Sequence, residues 1–427
     1  MSKCKIFFQT LGCKVNQYES EAMQKLFLSA GYELATEIDS ADVVIINTCT
    51  VTAVSSQKSR QMIRRAAGNN KIVVVVGCYA QSEPEIISKI DGVSVIIGTK
   101  DRINIVKIVE KAIKSREKVF KVDSVDDIKD FEELPHSPHR TRAFLKIEDG
   151  CNNFCSYCVI PYVRGRVRSR KLENIRAECL QLKENYKEIV LTGIHIGAYG
   201  RDLRNITLVD AVKTVLDAAN PLRLRLGSIE SVEMTDELIN LIKNEPRICN
   251  HVHLPLQSGC DEILKAMRRP YTTKNFAELT ARLVKEIPEI SIGTDLIVGF
   301  PGETEENFLE TLEFIKAQPF SKIHVFPYSA REKTLAATFP NQIPSQIKKA
   351  RANLALEVSR TKSKAFSERL IGKTVEIIAE TTEKGFVDGL TKNYIRVYAP
   401  DNNIKLGEVV KIKVEKLFKN GVYGSFR

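Results

Sequence analysis

The chain has 427 residues, 43% hydrophobic and 27% charged, an ordinary globular composition with room for two to four domains of roughly 100–200 residues each. Its longest apolar runs, such as IVVVV at 72–76, fall far short of the ~20 residues that span a bilayer, and the start, MSKCKIFFQTLGCKVNQ, lacks a signal peptide's apolar stretch, so a cytoplasmic protein with no membrane partner is expected. Ten cysteines in a reducing compartment point to metal or redox chemistry rather than disulfides, and the net charge of +11 favours a polyanionic partner.

Residues 1–115 repeat one pattern three times. Buried strands are predicted at KIFFQT, DVVIINT and KIVVVVG, followed at once by LGCKVN, CTVT and CYAQ, with helical stretches such as ESEAMQKLFLSAG between them. Strands alternating with helices predict a doubly wound parallel sheet, whose ligands sit beyond the carboxyl ends of the strands. Cys13, Cys49 and Cys78 each fall at such an end. Cysteine is often only a small buried hydrophobe, but the repeated placement brings three distant thiols to one sheet edge. Residues 116–140 are charged, aperiodic and carry Pro135 and Pro138; they read as a linker or wrapping segment.

Over 141–366 strands and helices alternate six more times, with strands at RAFLKIE, EIVLTG, LRLGSIE, HVHLPLQ, ISIGTDLIVG and KIHVFPYS. Six such units predict a partial (β/α)6 barrel, with its chemistry at the carboxyl ends of the strands. Thr192, Glu230, Gln257, Asp295 and Tyr328 make a polar ring there. After the first strand comes GCNNFCSYC, with Cys151, Cys155 and Cys158. A structural zinc site or a stand-alone iron–sulfur cube takes four ligands. Three crowded thiolates would hold a four-iron cube by three corners and leave one iron open to a reagent. Next comes PYVRGRVRSRK. Extended, it would put Arg164, Arg166, Arg168 and Arg170 on one face, suited to phosphates, unless they are simply a solvated charged face.

At GFPGETEE (299–306) a tight glycine turn leads into a helix opening at Thr304. His195, His251 and His253 are expected in walls or core, and Cys4, Cys179, Cys249 and Cys260 as structural. Residues 367–427 hold short β-like runs, TVEIIAE, YIRVYAP, VVKIKVEKL and VYGSF, which predict a small antiparallel β-barrel. Its eleven Lys or Arg against eight Asp or Glu suit an RNA backbone.

The spacing Cys-x3-Cys-x2-Cys, with Tyr157 before the last cysteine, resembles the signature of the radical S-adenosylmethionine superfamily. That resemblance implies that Cys151, Cys155 and Cys158 are catalytic, holding a cluster whose open iron chelates S-adenosylmethionine and cleaves it to a 5′-deoxyadenosyl radical. Thr192, Gly193, Glu230, Gln257 and Asp295 become the candidate cofactor contacts. TLGCKVNQYESE, NTCTVT, GCYAQ, GCNNFCSYC, LPLQSG and VGFPGETEE, in this order, resemble the methylthiotransferases over nearly the whole chain, and the last 60 or so residues resemble the RNA-binding TRAM domain. GCKVN and CTVT look like the branch acting on threonylcarbamoyladenosine in tRNA; the isopentenyladenosine branch usually reads GCQMN and the ribosomal-protein branch GCPKN.

This resemblance implies two 4Fe–4S clusters, one on Cys13, Cys49 and Cys78 and one on Cys151, Cys155 and Cys158. Two S-adenosylmethionine molecules would serve them, and the product would be methylthiolated at carbon 2 of the adenosine beside the anticodon. The implied partners are the tRNA anticodon loop, a low-potential electron donor such as a flavodoxin-type protein, and a sulfur donor. Arg331 is the candidate to meet the negatively charged threonylcarbamoyl group. One departure is REKTLA, where Lys333 stands in place of a glycine common in the family. The alternatives are another branch, acting on isopentenyladenosine tRNA or a ribosomal-protein aspartate, and a non-catalytic iron–sulfur RNA-binding redox sensor, which would make no 5′-deoxyadenosine.

Overall fold

The computed structural model describes residues 4–68, 71–135 and 140–427; Pro138, at the end of the predicted linker, lies outside them. Strands β1 (Lys5–Thr10), β2 (Glu33–Leu34), β3 (Val43–Thr48), β4 (Ile72–Gly77), β5 (Val93–Ile97) and β6 (Val119–Lys121) form one sheet in the order β2-β1-β3-β4-β5-β6, with every pair parallel. Its central strands read as unbroken apolar runs because both faces are covered. Val43, Ile45, Val74 and Val76 pack with Met23, Phe27 and Val109 on one side. Val44, Ile46, Val73 and Val75 pack with Ile63 and Ala66 on the other. Helices α1 (Lys14–Ser29), α2 (Ala53–Ala67) and α3 (Cys78–Ser82) follow β1, β3 and β4.

The predicted linker is in part a strand: β6 pairs with Val95–Ile97. Three residues beside an amphipathic helix carry too little pattern to stand out as an edge strand. The remainder wraps a joint, with Ile128 and Leu134 buried and Glu132 and Glu133 paired to Arg102 and Arg170.

The central part holds β7 (Ala143–Lys146), the short antiparallel pair β8 (Glu148–Asp149) and β9 (Arg168–Ser169), then β10 (Glu188–Thr192), β11 (Arg223–Arg225), β12 (His251–His253), β13 (Ser291–Val298) and β14 (Lys322–Pro327). Parallel pairing gives β11-β10-β7 and β12-β13-β14. Bridges from Leu224 to Ile248 and from Ser228 to His253 join them, making a six-strand arc, β7-β10-β11-β12-β13-β14. Among the described residues β7 and β14 do not pair, so the arc is open. Helix α1 packs at that open side, burying Tyr18 against Phe144 and Val190. The turn at 299–304 forms as expected: Gly299 and Gly302 have φ +69° and +83°, and Thr304 caps the helix Glu305–Ala317 by accepting the Asn307 N–H at 3.2 Å.

A long helix, Ser345–Glu368, leads to a closed barrel of β15 (Thr374–Glu383), β16 (Phe386–Leu390), β17 (Arg396–Pro400), β18 (Val409–Phe418) and β19 (Gly421–Phe426) in the order β15-β16-β17-β19-β18. The prediction needs two corrections. FVDGL is a fifth strand, hidden in the sequence by Asp388 and Gly389; a Cβ on Gly389 would lie 2.1 Å from the Ile378 carbonyl oxygen. Closure is also not wholly antiparallel, because β17 meets β19 in parallel. Buried Arg223 and Arg225 on β11 dock the barrel by donating to the carbonyls of Leu390, Lys392 and Thr391 at 2.9, 3.0 and 3.1 Å. Among the described residues no helix is long and apolar enough to cross a membrane.

Buried charges lock the N-terminal sheet to the arc. Glu19 on α1 lies 2.5 Å from Arg102, 2.7 Å from Arg164 and 2.9 Å from Lys146. Asp149 pairs with Lys146 at 2.6 Å and Arg164 at 3.2 Å. Burial alone would raise both carboxyls, but the surrounding cations hold both well below the usual carboxylate range. Glu19→Ala would take a shared carboxylate from three buried cations, leaving Asp149 and Glu132 to pair them, and should cost about 3–5 kcal/mol near pH 7, read as a lower urea midpoint. Because the folded-state carboxyl titrates below its ordinary 4.5, this contribution is present above that pH, and the gap to wild type should shrink as the pH falls further.

Candidate active site between two cysteine triads

At the carboxyl edge of the N-terminal sheet, Cys13 caps α1, Cys49 follows β3 and Cys78 opens α3. Gly12 has φ +104°, and a Cβ there would meet the Cys49 Cβ at 2.8 Å, so only glycine lets the two cysteine loops touch. Asn16 Nδ2 ties those loops by donating to Leu11 O at 2.8 Å and Thr48 O at 3.0 Å. Arg164 Nε donates to Cys78 Sγ at 3.3 Å. Burial, with added repulsion from Cys49 and Cys13, pushes the Cys78 thiol up to about 12 despite Arg164. Such thiols become ligands by giving up their proton to a metal.

The second triad lies on the loop after β8. Gly150 has φ +92°, with the Arg166 carbonyl oxygen 2.0 Å from where its Cβ would be. Ser156 pins the loop by donating its hydroxyl to Ala266 O at 2.7 Å and its N–H to Met267 O at 3.1 Å. Arg269 Nη1 donates to Cys155 Sγ at 3.2 Å, while its Nη2 pairs with Glu230. Burial, then the neighbouring Cys155, pushes the Cys158 thiol to about 12. His195 is no simple wall residue: Nδ1 lies 3.5 Å from Cys151 Sγ and Nε2 2.8 Å from Glu233. These bonds outweigh its burial and raise it to about 10.

Among the described residues no three His, Cys, Asp or Glu converge closely enough for a single ion. Both triads are all-thiol donor sets, the kind that suits the corners of an iron–sulfur cube. Between the triads lies a cavity of about 210 Å³, lined by Cys158, Gln257, Asp295 and Tyr328 of the arc and by Val51 and Thr52 from the Cys49 loop. Of the polar ring, Gln257 (φ +70°), Asp295 and Tyr328 face this cavity. Thr192 is buried at the end of β10, Gly193 sits against the Glu148 carboxylate, and Glu230 is committed to Arg269.

The arginine row does not form. Ile160–Arg164 is a helical turn, which breaks the period of two. Arg164 serves Glu19, Asp149 and Cys78. Arg168 donates to the carbonyls of Arg164 and Arg166 at 2.8 and 2.7 Å. Arg170 pairs with Glu133 and Glu178. Only Arg166 is exposed, 4.7 Å over the Phe154 ring. Arg331 is also buried, its Nη2 donating to Thr50, Ser56 and Glu83 at 2.6, 2.9 and 3.1 Å while its Nε has no hydrogen-bond partner. It ties the loop after β14 to the Cys49 loop. Lys333 sits at φ +71°, the left-handed region that glycine adopts without strain. Arg269, Glu233 and Glu148 could not be picked out beforehand, since neither spacing nor periodicity offers a signal for them.

Residues 5–98 match the uncharacterized protein family UPF0004 and residues 145–315 the radical SAM superfamily. The chain is 42% identical over 424 residues to the threonylcarbamoyladenosine tRNA methylthiotransferase MtaB of Bacillus subtilis, covering 96% of this chain and 94% of that one. It belongs to the radical SAM methylthiotransferase family. The protein of the same name from Aquifex aeolicus is 38% identical, covering 96% of this chain and all of its own. A tRNA-2-methylthio-N(6)-dimethylallyladenosine synthase from Clostridium botulinum is 35% identical, over 96% and 94%. Among solved structures, the radical S-adenosylmethionine methyltransferase TsrM from Kitasatospora setae, with cobalamin and a [4Fe-4S] cluster bound, superposes with TM-score 0.57 at 16% identity, over 76% of this chain and 75% of that one. That likeness bears on the fold alone.

As a radical SAM methylthiotransferase the protein works with S-adenosylmethionine and 4Fe–4S chemistry, and its buried acid Glu148 stands behind the second triad. Glu148 accepts the His195 N–H at 2.6 Å, and desolvation raises its carboxyl from 4.5 to about 8. Between those values unfolding ionises the group, so stability falls as pH rises through the window and levels off above it. Glu148→Gln should remove that slope in cluster-free protein, read as urea midpoints across pH.

Proposed function

We propose that this methylthiotransferase inserts a methylthio group at carbon 2 of N6-threonylcarbamoyladenosine beside the anticodon of tRNA. The observation that carries this reading is the match, over 96% of the chain, to relatives named for that substrate, at higher identity than to the dimethylallyladenosine synthases. Cys13, Cys49 and Cys78 would hold one 4Fe–4S cluster, and Cys151, Cys155 and Cys158 the other. When bound, the clusters and two S-adenosylmethionine molecules supply the sulfur, the methyl group and the one-electron chemistry that replaces C2–H by a thioether.

The protein's own side chains arrange this chemistry. Val51 and Thr52 bring the first triad's loop to the cavity that Cys158 lines, so both reagents would reach one carbon. Arg269 steadies Cys155, and Arg331 holds the Cys49 loop against the arc. Ile297, Phe326 and Tyr328 line the cavity with apolar surface, which keeps bulk water from a reactive centre. An anticodon-loop base is single-stranded and can be splayed into such a site. On the C-terminal barrel, Lys411 is exposed, and Lys419 lies over the rings of Tyr398 and Phe418 at 4.9 and 5.2 Å; this mixture of cations and aromatic faces suits an RNA strand. A cytoplasmic setting, a flavodoxin-type electron donor and a sulfur donor complete the reading.

The test incubates reconstituted enzyme with tRNA bearing either modification and weighs the nucleosides. Methylthio product only from dimethylallyladenosine tRNA, or only on a ribosomal protein, moves the chain to another branch. The wild type should carry about eight irons, and alanine at either triad about half. Loss of Cys151, Cys155 and Cys158 should also abolish 5′-deoxyadenosine, whereas loss of Cys13, Cys49 and Cys78 should spare it. Arg166→Ala should lower the slope of log affinity for tRNA against log salt by about one, as for one phosphate contact; an unchanged slope would leave Arg166 a solvated charge.

A further inference from the structure

The inner face of the arc is polar. Strand alternation sends Val252, Ile292, Leu296 and Ile323 outward into the core beneath the helices. It turns His251, His253, Asp295, Lys322 and His324 inward, where they line a chamber of about 590 Å³, within the usual range for a small-molecule site. Three parts of the chain enclose it: Lys14 at the start of α1 closes the open side, the arc forms the wall, and Tyr394 and Arg396 of the C-terminal barrel close the end.

Its charge is unbalanced. Four basic side chains, Lys14, Arg142, Lys322 and Arg396, line the chamber against one carboxylate, Asp295, which lies 3.2 Å from His253. Arg142 is paired with Glu188 and Glu380, and Arg396 with Glu380 and Asp388. Among the described residues no carboxylate pairs with Lys14 or Lys322, and Lys14 is the less exposed of the two. A half-buried cation without a counter-ion is costly unless a ligand brings the anion. His251 supplies a second, independent mark: it is only 8% exposed, lines the chamber, and its Nδ1 has no hydrogen-bond partner, while its ring stacks on Tyr394 at 4.4 Å. Burial and the cations around it keep that imidazole neutral, so it remains available to a hydroxyl.

Asp295 and Phe326 line both this chamber and the smaller cavity at Cys158, so the two adjoin. In adenine, C2 and the N6 substituent leave the ring from different edges. A base at this junction with C2 toward the triads would send its N6 arm into the chamber. We propose that the chamber receives the carboxylate-bearing arm on N6 of the target nucleoside, and that Lys14 is the residue that reads its carboxylate, with His251 facing the arm's hydroxyl. This rests on the threonylcarbamoyl reading and names what enforces it. Arg331, which the sequence alone put forward for this role, donates through Nη2 to Thr50, Ser56 and Glu83 and does not line the chamber.

The test uses the anaerobically reconstituted full chain and two anticodon stem-loops that differ only in the arm, one with the free threonyl carboxylate and one with it converted to the neutral amide. Wild type should bind the acid about tenfold or more tightly than the amide, the size expected of one charge-assisted bond. Lys14→Met should bring the two affinities together, and Lys14→Arg should restore most of the difference. Equal binding of acid and amide by wild type overturns the proposal without any variant having to fold. So does a full acid preference in Lys14→Met, or a Lys14→Met defect confined to S-adenosylmethionine binding. The substrate reading is judged separately, by whether wild type methylthiolates the acid stem-loop at all.

Discussion

Everything about this site depends on pairing five buried charges where the N-terminal sheet meets the arc. Glu19 enters from α1, Arg102 from the sheet's far edge, and Lys146, Asp149 and Arg164 from the arc. None has more than 4% of its side chain exposed. In so dry a setting an unpaired charge is severely unfavourable, so the two bodies are held in one relative position. Arg164 also donates to Cys78 and to Asn16, which makes that position the one that sets the first triad. One of the four arginines that the sequence offers to phosphates is thus the residue that joins the domains.

The same pairing of buried groups sorts the other arginines. Arg168, Arg170, Arg225, Arg269 and Arg331 each donate to carbonyls, carboxylates, thiols or hydroxyls of the protein. They bring loops together instead of meeting solvent. Three groups that lack a carboxylate or hydrogen-bond partner share one place. Lys14, Lys322 and His251 face a chamber between the three structural units that adjoins the cysteine cavity. A site assembled from all three units is complete only when each is docked, so the proposed recognition of the nucleoside there would depend on the integrity of the whole fold.

Much of the architecture was legible because its signals are local. Continuous apolar strands announced a sheet covered on both sides, cysteines at three successive strand ends announced convergence on one edge, and Gly299, Gly302 and Thr304 announced a turn and a helix cap. Both triads are marked by spacing and position alone. Short elements without a period, such as Val119–Lys121 and Phe386–Leu390, did not stand out, because a few residues beside a glycine or a charged run carry no measurable alternation.

By itself, then, the sequence determined the order of the three units, the parallel sheets and the placing of six cysteines in two groups beyond strand ends, since strand periodicity and residue spacing are properties of neighbours along the chain. It did not determine which cations face the substrate and which are structural. Arg164 and Arg331 look free in the sequence yet are held by partners that include Glu19 and Thr50, each more than a hundred residues away, while Lys14, next to a cysteine, is left without a carboxylate. Only tertiary structure decides this, because the pairing of a charge depends on what the fold brings within about 4 Å of it, and that distance has no counterpart in sequence separation.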